Sequence, residues 1–148
     1  MTARILFVCL GNICRSPTAE GVTRFLAARA GLDLTVDSAG TGAWHVGEAP
    51  CPGMVRAAAG AGYDISRLRA RQMKAADFAA FDLIVAMDGD NLDDIAALRP
   101  TGATTEVRLF THYAPETGAR DVPDAYYTRD YTGALALIAT KGEIGGTY

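Results

Sequence analysis

Apolar residues fall into short unbroken runs alternating with stretches of helical spacing. Ile5-Leu6-Phe7-Val8 is continuous, as in a parallel strand covered on both faces, and ends at Cys9. Val22, Phe25, Leu26 and Ala30 then recur at helical spacing up to Gly31, with Ser16 expected as the N-cap and Pro17 as the first helical residue. Leu34-Thr35-Val36 predicts a second strand, and residues 38–52 a long Gly/Pro-containing loop. A second helix is expected from Met54 to Ala61, stopped by Gly62, and a short one from Ala75 to Phe81. Leu83 to Met87 reads as strand three, Asn91 to Leu98 as a helix ended by Pro100, and Val107 to Phe110 as a shorter fourth strand. A Pro-, Gly- and Asp-rich loop (114–127) and a last helix from about Thr132 to Lys141 complete the pattern.

Strands alternating with helices predict an α/β fold: a four-stranded parallel sheet, right-handed crossovers and helices on both faces. Ligands of such sheets bind at the carboxyl ends of the strands, so the residues after Cys9 are the default site. Neither repeats nor a linker divide the chain, and residues 1–148 are expected to form one domain.

Composition narrows the partners. With 14 basic and 17 acidic residues the net charge is −3, which argues for neither nucleic acid nor an anionic membrane. Apolar stretches fall short of the roughly 20 residues of a bilayer span, and Met-Thr-Ala-Arg leads into about six apolar positions, short of a signal segment. A cytoplasmic location is expected. Three cysteines are an odd count without a disulfide framework, so reduced thiols are the expected resting state.

Val8 to Ser16, VCLGNICRS, holds two of those cysteines. A cysteine at a strand end or helix start is commonly a small buried hydrophobe. The loop supports more, because Gly11 and Asn12 tolerate left-handed backbone and successive turned peptides can aim their N–H groups at one anion. The following helix adds its unpaired N–H groups and dipole, and Arg15 a fork for two phosphate oxygens. Cys9, beneath those donors, would have its thiolate stabilised by what attracts the phosphate. Competing chemistries fit less well. A Walker A loop lacks its Lys and second Gly, and C-x-x-x-x-C suits neither structural zinc nor a C-x-x-C redox pair.

The stretch Val8 to Glu20, VCLGNICRSPTAE, resembles the signature of the low-molecular-weight protein tyrosine phosphatases, and the likeness extends over nearly the whole chain. It includes Val36 to Thr41, Trp44, Arg69 to Gln72, Ala86 to Asp88 and Pro123 to Tyr127. The resemblance implies a phosphate-binding loop after strand one and metal-independent hydrolysis of phosphotyrosine through a phosphocysteine. Cys9 would be the nucleophile, Arg15 the phosphate ligand, Asp124 the general acid and then base, and Ser16 the hydroxyl assisting departure of the thiolate. Leu10, Gly11, Asn12, Ile13 and Cys14 would complete the cradle; Trp44, Tyr126 and Tyr127 would wall the phenyl ring; Ser38, Asp88 and Asn91 would brace the loop. Cys14 would also pair with Cys9 under peroxide, sparing the nucleophile. The expected partners are a tyrosine-phosphorylated protein or peptide and the phosphate product, with no cofactor, no metal, and a monomeric state open to weak self-association.

Several positions depart from the family pattern. Ala125 stands where Pro is usual, which frees the acid loop and would lower turnover; Leu68 replaces a common His; and Cys51 lies in Ala-Pro-Cys-Pro-Gly, where relatives commonly show Asp-Pro-Arg. Cys51 is expected to be structural or neutral. The tail carries three glycines in residues 142–148, and fraying is expected there. His45 and His112 have no ligand spacing. Ile13, aliphatic, favours phosphotyrosine over the phosphoarginine handled by Thr-bearing members of the fold. Two rival functions share the cradle: an arsenate reductase, which would need relay cysteines that residues 83–99 lack, and a non-catalytic phosphotyrosine-binding module.

Overall fold

The computed structural model describes residues 3–31 and 33–110. In chain order these form β1 (Ala3–Cys9), α1 (Arg15–Ala30), β2 (Leu34–Gly40), α2 (Pro52–Gly60), α3 (Asp77–Ala80), β3 (Leu83–Ala86), α4 (Gly89–Leu98) and β4 (Glu106–Leu109). The four strands make one parallel sheet in the order β2-β1-β3-β4. The fold class and every element expected before residue 110 are therefore present. The predicted last helix, from about Thr132 to Lys141, lies outside the described residues.

Side-chain alternation sorts the core into two layers. Ile5, Phe7 and Cys9 of β1 pack with Val36, Val85, Met87 and Phe110, and with Ala19 of α1. Leu6 and Val8 face the other way, against Ala39, Ile84, Ala86, Phe78 of α3 and Ile95 of α4. Burial on both faces is why β1 reads as an unbroken apolar run. A third cluster, around Val22, Met54 and Ile65, seats α2 beside α1.

Boundaries moved where side-chain chemistry outweighed local propensity. Ser16 is not an N-cap: α1 starts at Arg15, Cys14 holds the cap position, and the Ser16 hydroxyl is taken by Cys9 Sγ and Asn12 Nδ2. Gly31 ends α1 as expected, left-handed at φ 71°, with its N–H on the carbonyls of Ala27 and Ala28. β2 runs on to Gly40 because parallel pairing with β1 outweighs the turn propensity of Ser38 and Gly40. Helix α2 starts two residues earlier than Met54, with Pro52 as its first residue. Strand order reverses between β1 and β3, which opens a crevice at their carboxyl ends. Among the described residues no helix is long and apolar enough to cross a membrane.

Candidate active site

Cys9 closes β1 inside that crevice, buried, opposite Gly40 of β2. Its Sγ lies 3.0 Å from Ser16 Oγ, and the Asn12 backbone N–H donates to it at 3.2 Å. Asn12 is the only non-glycine residue with positive φ among the described residues, at 58°. That conformation costs free energy that its side chain offsets through three hydrogen bonds. Nδ2 donates to Ser16 Oγ and Ser38 Oγ, both at 2.9 Å, and Oδ1 accepts from the Arg71 N–H at 2.9 Å. Neighbouring backbone closes in from β2: the N–H groups of Thr41 and Gly42 donate to the carbonyls of Cys9 and Leu10, both at 2.9 Å. Only glycine fits at position 40, where a Cβ would sit 2.7 Å from the Leu10 carbonyl oxygen.

Arg15, 2% exposed, is among the largest fully buried side chains. Its Nη1 donates to Asp88 Oδ2 at 2.5 Å. The other carboxylate oxygen of Asp88 accepts from the Asn91 N–H at 2.7 Å, capping α4. Asp88 thus holds the Arg15 guanidinium and caps α4 together. Leu10, Arg15, Asp88, Asp90, Asn91, Asp93 and Asp94 line an open cavity of about 550 Å³ beside the loop. Ile13 is buried with Val22 and Met54, while Trp44 is 72% exposed.

Ser38 sits where the sequence reading put it, bonded to Asn12, and it leads to a residue the reading missed. Its hydroxyl donates to Glu20 Oε1 at 2.6 Å, and Arg24 Nη2 donates to Glu20 Oε2 at 2.6 Å. Burial holds the Glu20 carboxyl above the usual carboxylate range, against the opposing pull of Ser38 and Arg24. His45 was also missed as a neighbour of the loop. It packs over Gly11, where a Cβ would come within 3.0 Å of its Cδ2, and its Nδ1 meets Glu48 Oε2 at 3.1 Å.

The cysteine expectations need correction. Cys14 is bonded to Cys51, 37 residues on, and Cys9 is the free thiol. The chain brings the pair together through the caps of α1 and α2, and the Cys51 N–H donates to the Ile13 carbonyl at 2.7 Å. The expected resting state of three reduced thiols is replaced by this arrangement, Cys51 takes the structural one of its two expected roles, and the bond Cys14 makes here is to Cys51 and not the one to Cys9 expected under peroxide. Asp124, Tyr126, Tyr127, Ala125 and His112 lie outside the described residues.

Known proteins share this sequence pattern and fold. The family model for low molecular weight phosphotyrosine protein phosphatase matches residues 4–141. A low molecular weight phosphotyrosine protein phosphatase of Schizosaccharomyces pombe is 46% identical over 127 residues, spanning 84% of this chain and 81% of the relative. The crystal structure of YfkJ from Bacillus subtilis superposes with a TM-score of 0.93 at 38% identity, covering 97% of this chain and 92% of that one. That of DARP, a Drosophila arginine phosphatase, gives a TM-score of 0.87 at 31% identity, covering 95% and 94%. On the family match and these identities, the chain belongs to the low molecular weight phosphotyrosine protein phosphatase family.

Proposed function

We propose that this chain hydrolyses phosphotyrosine in proteins or peptides, acting as one domain in the cytoplasm, without metal and through a phosphocysteine. The reading rests on one observation above all: the Cys9 sulfur accepts from the Asn12 N–H, contacts the Ser16 hydroxyl and shares its loop with the buried Arg15.

In the first step the Cys9 thiolate attacks phosphorus in line while Asp124 protonates the departing phenolate. Arg15, oriented by Asp88, binds two of the equatorial oxygens on which charge accumulates. In the second step Asp124, now a carboxylate, takes a proton from water as the water oxygen attacks the phosphocysteine. The S–P bond breaks, and the Ser16 hydroxyl stabilises the sulfur as it regains its charge. The aromatic side chains of Trp44, Tyr126 and Tyr127 fit a phenyl ring, and the aliphatic Ile13 favours the same substrate class. We assign the enzyme as a monomer.

Hydrolysis of p-nitrophenyl phosphate in EDTA tests this reading. Wild type is expected to turn over, Cys9→Ser to be inactive, and Asp124→Asn to be slowed about 100-fold or more. An inactive wild type would leave a binding module. Phosphoarginine supplied beside a phosphotyrosyl peptide decides the substrate class, and preferential hydrolysis of phosphoarginine would overturn the tyrosine assignment.

A further inference from the structure

Glu20 lies one and a half turns into α1, buried, and makes no contact with the loop that would hold substrate. Its place becomes informative once the hydrogens are followed. The Arg71 N–H donates to Asn12 Oδ1, which fixes the amide so that Nδ2 must donate to both serines. Ser38 Oγ accepts from Asn12, so its own hydrogen points to Glu20 Oε1. Ser16 Oγ likewise accepts from Asn12, which leaves its hydrogen for Cys9 Sγ at 3.0 Å, with the Ala39 carbonyl a longer alternative at 3.4 Å. Two arms therefore diverge from the Asn12 amide nitrogen, one through Ser38 to the buried Glu20 carboxylate and one through Ser16 to the sulfur.

We propose that Glu20 is a positioning residue for Cys9: as the terminal acceptor behind Ser38, it anchors Asn12 and so holds both the Asn12 N–H and the Ser16 O–H on the sulfur. The charged end strengthens the Ser38–Glu20 bond and makes the Ser38 oxygen a better acceptor for Asn12, so the anchor reaches the sulfur by fixing the Asn12 side chain in place. Asn12 needs the anchor because its backbone is held left-handed. The Arg71 N–H holds the other end of the Asn12 amide. The charges around Glu20 are Arg24 on its own helix and Asp37 on β2, and Asp37 in turn pairs with Arg71, which also binds Asp77. The proposal rests on Cys9 being the reactive group of the proposed function.

Alkylation of Cys9 by iodoacetate, followed against pH on the Cys9 peptide by mass spectrometry, tests the role without requiring turnover. Two outcomes can be separated by sign, because a nearby carboxylate acting only through its charge would disfavour the thiolate. The anchor described here predicts that Glu20→Met raises the pH midpoint of alkylation by about one unit. Ser38→Ala, which keeps the charge and cuts the link, should raise it similarly. Glu20→Gln, which keeps an acceptor oxygen, should move it less than Glu20→Met. A fall with both Glu20 variants would show a charge effect alone, and unmoved midpoints would show packing alone; either overturns the proposal. If Glu20→Met gives no cooperative thermal transition, Ser38→Ala decides by the same criterion. Failure of wild type to hydrolyse p-nitrophenyl phosphate would instead strike the functional reading, and leaves the alkylation midpoints interpretable.

Discussion

Cys14, at the cap of α1, is bonded to Cys51, at the cap of α2, so a covalent link ties the end of the phosphate loop to the neighbouring helix. Closing a loop of 37 residues restricts the unfolded chain and contributes about 3 to 4 kcal/mol in the chain-entropy model. Cys51→Ser should lower the unfolding free energy by about that much, and a reductant should bring the wild type down to the variant. Denaturant titration with and without dithiothreitol measures this, and equal stability of the two proteins under oxidising conditions would contradict it.

The same bond removes Cys14 as a partner for Cys9. Peroxide applied to the bridged protein should carry Cys9 on to sulfinic acid, with no second thiol to intercept the sulfenic acid. Peptide mapping is expected to show the Cys14–Cys51 peptide intact and an oxidised Cys9 peptide. A Cys9–Cys14 peptide recovered in high yield would contradict this account.

Arg15 and Asp88 meet at 2.5 Å across the strand-order reversal, one the first residue of α1 and the other the cap of α4, just past β3. Asn at position 88 can still cap α4 but loses the charge that aims the guanidinium. Asp88→Asn should therefore cut kcat/KM about 10- to 100-fold, as expected for a charge-assisted hydrogen bond, while far-UV circular dichroism stays native. Unchanged kcat/KM would show that Arg15 is held by other contacts.

Acid stability carries a separate signature. Asp82 accepts from the Arg4 guanidinium at 3.0 and 3.3 Å and from the Arg4 N–H at 2.9 Å, bonds that hold its carboxyl below the ordinary value of 3.8. A lowered folded-state value means the stabilisation is present above that ordinary value and is lost as pH falls through the folded one. Asp82→Asn should be less stable than wild type at neutral pH, and the difference should close in acid. Since the pair is exposed, salt should shrink it too. A gap that persists at low pH would mean that packing, not charge, is what the substitution removes.

Much of this site was legible in the residues because its chemistry is local. Cys9, Asn12, Arg15 and Ser16 lie within eight consecutive positions, and the apolar run before them announces a strand whose end must face a crevice. Asp88 and Ser38 were placed by the family resemblance; Ser38 lies in β2 opposite Phe7 of β1, and Asp88 two residues past the end of β3. What escaped were pairings across the fold. Nothing within reach of Cys51 in the sequence points to Cys14, because the two meet only when α2 packs against α1. Glu20 was hidden inside the helical pattern, where a carboxylate normally faces water; in the fold it turns to Ser38 of β2, and the half-exposed Arg24 pairs its other oxygen. Ser16 was misplaced as a cap because local propensity favours that role, whereas the sulfur and the Asn12 amide claim its hydroxyl in the folded chain.

The central claim is that the Cys9 sulfur carries the phosphoryl group. Acid quenching during turnover of a phosphotyrosyl peptide, followed by peptide mapping under conditions that preserve thiophosphates, reads it directly. The account predicts one phosphoryl group on the Cys9 peptide, appearing within the first turnover and absent in Cys9→Ser. Turnover with no phosphorylated Cys9 peptide, or with the label on another residue, would contradict it.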